Sequence, residues 1–111
     1  MPYFSILFFS GLAALPEPVA WRAVPEPEAL RAEAVLAHSP VRGLMQALLS
    51  RPELSLSIGH AGGDAGTTRA EALRAALVAL GLPSARVVLL PQPQDIDVLL
   101  LAINPGGEQK P

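Results

Sequence analysis

The side chains best placed to do chemistry are His60, Asp64, Thr68 and Arg69, gathered in the run GHAGGDAGTTR at 59–69. The spacing predicts a glycine-rich loop that ends a strand and opens a helix, with Arg69 in the first helical turn. An arginine there faces a dipole end that is already positive, so an anionic partner is expected, either a ligand or a nearby carboxylate such as Asp64 or Glu71. Asp64, inside GGDAG, reads by default as a turn former. His60 reads either as a base or pH sensor, or as a strand-end residue that caps a carbonyl or packs beneath the loop. Residues 62–68 superficially resemble a phosphate-binding loop, since glycines before a helix N-terminus favour anions. The lysine of G-x-x-x-x-G-K-[ST] is missing.

Nothing else in the chain suggests catalysis, and the expectation is a protein that is not an enzyme. There is no cysteine, hence no thiolate nucleophile, no disulfide and no cysteine-based zinc site. There is no G-x-S-x-G, and the paired carboxylates Asp95 and Asp97 flank Ile96, where they serve to keep a sheet edge soluble. His38 and His60 are too far apart for a local metal motif, so neither metal nor cofactor is expected. His38 and Trp21 read as packing residues.

The elements that must position these residues follow from periodicity. Leu54, Leu56 and Ile58 alternate with Ser55 and Ser57, which predicts a strand near 54–59 with one buried face. Thr68 and Glu71 match an S/T-x-x-E capping box and predict a helix over 68–80, with Leu73, Leu77, Val78 and Leu80 on its apolar face. Gly81 and Pro83 stop that helix, and a strand near 86–90 follows, with Val88 inward. Upstream, 27–37 reads as a helix. Ser39 reads as the N-cap of the next, with Pro40 in its first turn and a stripe of Val41, Leu44, Met45, Leu48 and Leu49. Pro16, Pro18, Pro25 and Pro27 bracket a short strand at 19–24, and the continuous apolar run 96–103 reads as a covered strand.

The implied order is β-α-α-β-α-β-β. The fold class is therefore α+β, a two-layer sandwich with helices on one face of a small mixed sheet. Three regions are expected: an apolar N-terminal segment and proline-rich linker at 1–18, the α/β domain at 19–103, and a disordered polar tail at 104–111. Residues 3–15 are nearly all apolar but too short for a membrane span. They read equally as a degraded export signal or a buried first strand, and membrane association is expected only through them.

Bulk properties narrow the function classes. The 111 residues make one domain, able to bury roughly 65% of the unfolded surface. Half the residues are hydrophobic, 16% are charged and the net charge is −2, with seven arginines and one lysine scattered along the chain. No clustered basic surface exists to bind phosphates, so nucleic acid is not expected as a partner.

The run Arg69-Ala70-Glu71-Ala72-Leu73, then Leu77, Gly81-Leu82-Pro83 and Arg86-Val87, resembles the RA-x-A-V-x-x-x-L-x-x-x-G-I-x-x-x-R-V signature of OmpA-like peptidoglycan-binding domains. The preceding strand ends in Gly59-His60, as in that family, and Arg51-Pro52-Glu53 matches the approach to it. The resemblance covers roughly 40–90. It implies a periplasmic or cell-envelope domain that grips the diaminopimelate of a peptidoglycan stem peptide. An arginine at the position of Arg69, and an aspartate two residues after the histidine, hold the ligand's carboxylate and amine ends. A guanidinium suits a carboxylate because it binds bidentately.

Position 62 is glycine where the family has that aspartate, Asp64 lies two residues late, and the loop is shorter. The pocket is then rebuilt around Asp64 or lost. Similar shortened versions occur in CpaD-like pilus assembly proteins. The reading is a non-enzymatic envelope module, binding peptidoglycan or scaffolding a pilus or secretion assembly through partner proteins. The alternative is a small soluble α/β protein that binds a phosphorylated or nucleotide ligand at the glycine-rich loop; beside the periplasm or envelope, the cytoplasm stays open as the location.

Overall fold

A computed structural model describes residues 15–105. The apolar run at 3–14 and the tail beyond Pro105 lie outside the described residues. Four strands and three helices follow the expected order: β1 (Val19–Trp21), α1 (Ala32–Ala37), α2 (Ser39–Ser50), β2 (Leu54–Ala61), α3 (Gly63–Ala79), β3 (Val87–Gln92) and β4 (Leu99–Pro105). Short 3-10 turns at Pro27–Ala29 and Ser84–Arg86 precede α1 and β3. The sheet order is β1-β4-β2-β3, with β2 and β3 parallel and the other pairs antiparallel. The fold is α+β with a mixed open sheet.

The alternation of β2 decides which face the helices cover. Leu54, Leu56 and Ile58 are almost fully buried, while Ser55 and Ser57 between them are half-buried on the opposite face. Register extends the buried row across the sheet: Leu56 lies between Val87 and Ile103, and Ile58 between Leu89 and Leu101. Against this row pack Val41, Leu44, Met45 and Leu48 of α2 and Ala70, Leu73, Ala76 and Leu77 of α3. The far face carries Val88, Leu90 and Leu100, all exposed. Among the described residues no helix is long and apolar enough to cross a membrane.

The end of α3 explains the sequence Gly81-Leu82-Pro83. The Leu82 amide bonds to the Leu77 carbonyl and the Gly81 amide to Val78, both about 3 Å, the paired bonds of a Schellman stop. Gly81 takes φ +114, which a side chain would oppose. Leu82 is buried, as Leu77 is. Arg86 closes the end of α2 from outside it. Its guanidinium donates to the carbonyls of Leu48, Arg51 and Leu54 at 2.7–2.8 Å, supplying a cation where the helix dipole is negative.

Five expectations are corrected. First, α3 does not start at Thr68; it is continuous from Gly63 through Gly66, and Thr68 is an exposed residue of its second turn. A direct β2–α3 join replaces the expected loop because Gly66 lies against the strand. A Cβ there would sit 2.0 Å from the Ala61 carbonyl oxygen. Gly62 is the N-cap, with no side-chain cap bond, and Gly63 turns the chain at φ +88. Second, Val87 is buried and Val88 is 48% exposed, because pairing with Leu56 sets the strand's phase one residue earlier.

Third, His38 is the N-cap of α2 and Ser39 its first residue. Fourth, the expected helix at 27–37 divides into the 3-10 turn and α1, while the first strand is confined to Val19–Trp21. Fifth, Asn104 and Pro105 belong to β4, paired with Ser55 and Leu54, while 96–98 precede that strand.

The close approach at Gly66 gives a direct test. Gly66→Ala gains roughly 1 kcal/mol of helix propensity, yet its Cβ meets backbone that cannot rotate aside. Overpacking costs about 1–3 kcal/mol, so a net loss is expected in urea unfolding. A more stable variant would contradict the tight β2–α3 join.

Candidate functional site

Arg69 lies on the core-facing side of α3, in one stripe with Gly66, Ala70, Leu73, Ala76 and Leu77. It is only 8% exposed. Its Nη1 donates to the carbonyl oxygens of Val24 and Pro25, each at 2.8 Å, and Nη2 lies 3.6 Å from a Glu26 carboxylate oxygen. Nε is buried without a partner. The guanidinium thus grips the turn between β1 and the first 3-10 element, 45 residues away in sequence.

That turn needs holding. Ala23 takes φ +54, a left-handed conformation that costs a non-glycine residue about 1–2 kcal/mol. Val24 is buried, and its amide bonds to the Asp97 carbonyl at 2.9 Å. Arg69 adds two charge-assisted bonds to the same turn, which satisfies both carbonyls where the chain leaves β1. With α3 starting at Gly63, Arg69 sits in its second turn, beyond the field of the helix end, and the exposed Glu26 carboxylate adds only a weak, solvent-screened attraction.

The other three predicted residues do not converge on Arg69. His60 is on the helix-facing side of β2 and 3% exposed. Its Nδ1 lies 2.8 Å from the Ala61 carbonyl, in position to donate to it, which is the strand-end capping role. Asp64 is exposed in the first turn of α3, where a carboxylate suits the dipole. Asp64 and Thr68 make no hydrogen bond or ion pair with Arg69 among the described residues. A phosphate approaching this helix end meets the Asp64 charge first, so the arrangement opposes the anion it superficially invites.

An open groove of about 430 Å³ lies elsewhere, between α1 and α3. Its walls are Leu30, Ala72, Ala76 and Ala79, with Arg31 and Glu33 supplying charge at one side. None of the four predicted residues lines it. Trp21 and His38 stack at 4.4 Å with their planes 8° apart, a packing contact joining β1 to the start of α2. Among the described residues no three His, Asp or Glu side chains come together as a metal-binding group.

The arginine clasps are what sequence reasoning missed. Arg86 and Arg69 both end on backbone carbonyls of distant segments, and no local spacing marks such a partner. Thr68 offers the complementary check. With no cap to lose, Thr68→Ala should change stability by no more than about 0.5 kcal/mol, whereas a capping threonine would cost roughly 0.5–2 kcal/mol. Urea midpoints of the two proteins distinguish these outcomes. Comparison of the sequence with protein-family models gives no match, and comparison with curated proteins gives none either.

Proposed function

We propose that this chain is a non-enzymatic module of the cell envelope whose work is scaffolding within a pilus or secretion assembly. One observation carries the choice of scaffolding over ligand gripping: the Arg69 guanidinium is buried and committed to Val24, Pro25 and Glu26. In the family that the sequence resembles, the equivalent arginine must face an open pocket to meet a diaminopimelate carboxylate. Position 62 lacks the partner aspartate, and Asp64 stands apart on the solvent side of α3. The envelope setting rests on the resemblance over 40–90, together with the element order it implies.

The reading has two parts, tested separately. In co-sedimentation with purified sacculi, the wild-type chain should stay in the supernatant. Pelleting that Arg69→Lys abolishes would restore the peptidoglycan-binding reading. In fractionated cells of its own organism, the full chain should recover with the envelope and cross-link to proteins of a surface apparatus. Recovery in the cytoplasmic fraction would refute the envelope assignment.

A further inference from the structure

We propose that residues 3–14 of the same chain pack across the open face of the sheet, over Leu100 and Leu90, and close the fold as a third layer. They lie outside the described residues, and nothing in this assignment depends on the proposed function.

The open face is built like a covered one. A row of Ala20, Leu100, Gly59 and Leu90 crosses all four strands, and in the next row Ala102 and Val88 flank Ser57. Leu100 is 37% exposed, Leu90 40% and Val88 48%. None of the four strands carries an acidic side chain, a lysine or an arginine. A sheet with one solvated face alternates apolar and polar residues. Residues 87–90 and 99–102 are instead apolar at every position, the mark of strands covered on both sides. Helices α2 and α3 cover only one of those sides. The Ser57 hydroxyl donates to the Ala102 carbonyl at 3.4 Å, so an apolar cover leaves it with a partner.

The chain itself supplies the occupant. Residues 3–14, YFSILFFSGLAA, contain no charged side chain. They hold Tyr3, Phe4, Phe8 and Phe9, which are four of the chain's five aromatic residues, so most of its aromatic surface lies there and calls for burial. Leu15 packs against the core and is four residues from Val19, which tethers the segment within about 14 Å of β1, at the rim of the face. Four strands spaced about 4.8 Å apart place β3 about 14 Å from β1. Twelve residues reach that far even when coiled at about 1.5 Å each. A short tether also gives an effective concentration in the millimolar range, against which a second copy or a separate protein has to compete. Pairing the segment as a strand beside β1 would leave Leu100, Leu90 and Val88 in water.

Paramagnetic broadening in the full chain tests this. Because the chain has no cysteine, Ser10→Cys carries a single nitroxide. With isotope- and spin-labelled chain diluted into unlabelled wild type, the methyl signals of Val88, Leu90 and Leu100 should lose most of their intensity. Those of Leu36 and Leu49, exposed on the helix layer, should keep theirs. Leu100→Glu should restore the Val88 and Leu90 signals with an unchanged circular dichroism spectrum. Phe8→Asp, which alters no described residue, should do the same, and Leu49→Glu should not. A second sample, spin-labelled chain mixed with isotope-labelled wild type, reads contact between copies. Broadening of the three methyls only in that mixture gives the face to a second copy and overturns the proposal. Three unbroadened methyls, or broadening confined to Leu36 and Leu49, overturn it too, as do signals that stay broadened in both Leu100→Glu and Phe8→Asp.

Discussion

Leu77→Ala is expected to lower the free energy of unfolding by about 2–5 kcal/mol, the range for deleting a buried leucine side chain. Leu77 is 1% exposed and belongs to the cluster that joins α3 to Leu56, Ile58 and Leu101 of the sheet. Three surroundings limit how far the site can collapse around the missing atoms. The sheet lies below it, the helix backbone holds it, and Leu82 is tied to the Leu77 carbonyl through the helix stop. The loss should therefore fall in the upper part of that range. Urea unfolding should show a lower midpoint with an unchanged slope. A change under about 1 kcal/mol would mean that α3 does not pack as described.

Arg69→Ala should be nearly as damaging, with an expected loss of about 2–4 kcal/mol. Hydrogen bonds to a charged group contribute about 1.5–3 kcal/mol each, and two are removed together. The carbonyls of Val24 and Pro25 lose their donor, and the left-handed Ala23 loses the clasp beside it. Such an effect is far from the 0–1 kcal/mol of an exposed ion pair. Arg69→Lys should recover little, because one ammonium replaces a fork that spans two carbonyls and a carboxylate. Local loosening would show first as faster amide exchange at Val24, whose N–H bonds to Asp97.

The element order was legible because its signals are local. Leu54, Leu56 and Ile58 alternate, the α2 stripe repeats at helical spacing, and Gly81 sits where a helix must stop. Those signals give the α+β class, the helices on one face and Leu77 in the core. What was not legible depends on how elements meet, whether they are neighbours in the chain or far apart. The capping box at Thr68 is a sound local signal, overridden because Gly66 lets α3 begin against Ala61. The phase of β3 is a pairing property: Val87 and Val88 have the same side chain, and only register with Leu56 decides which is buried. Ser39 and His38 differ as caps by one residue, which the α1–α2 junction settles.

The candidate site shows the same division. His60, Asp64, Thr68 and Arg69 are close in sequence, and that proximity suggested a shared pocket. A strand side chain at the core face, two solvent-side helical residues and a core-side arginine instead point in separate directions. The partner of Arg69 lies in the turn after β1, whose proline-rich sequence reads as a linker rather than as an acceptor. The resemblance at 69–87 thus marks arginines used by the fold: Arg69 closes the β1 turn, and Arg86 closes the end of α2.

The most direct test of the central claim, that Arg69 holds the fold and does not reach for a ligand, is side-chain nitrogen NMR of its guanidinium. In the free protein, bonds to two carbonyls should slow rotation and give resolved Arg69 Nη signals, while exposed arginines such as Arg22 give averaged ones. Adding a diaminopimelate-containing stem peptide should leave the Arg69 signals where they are. An averaged, freely rotating Arg69 signal that shifts and sharpens on addition of the peptide would contradict the account.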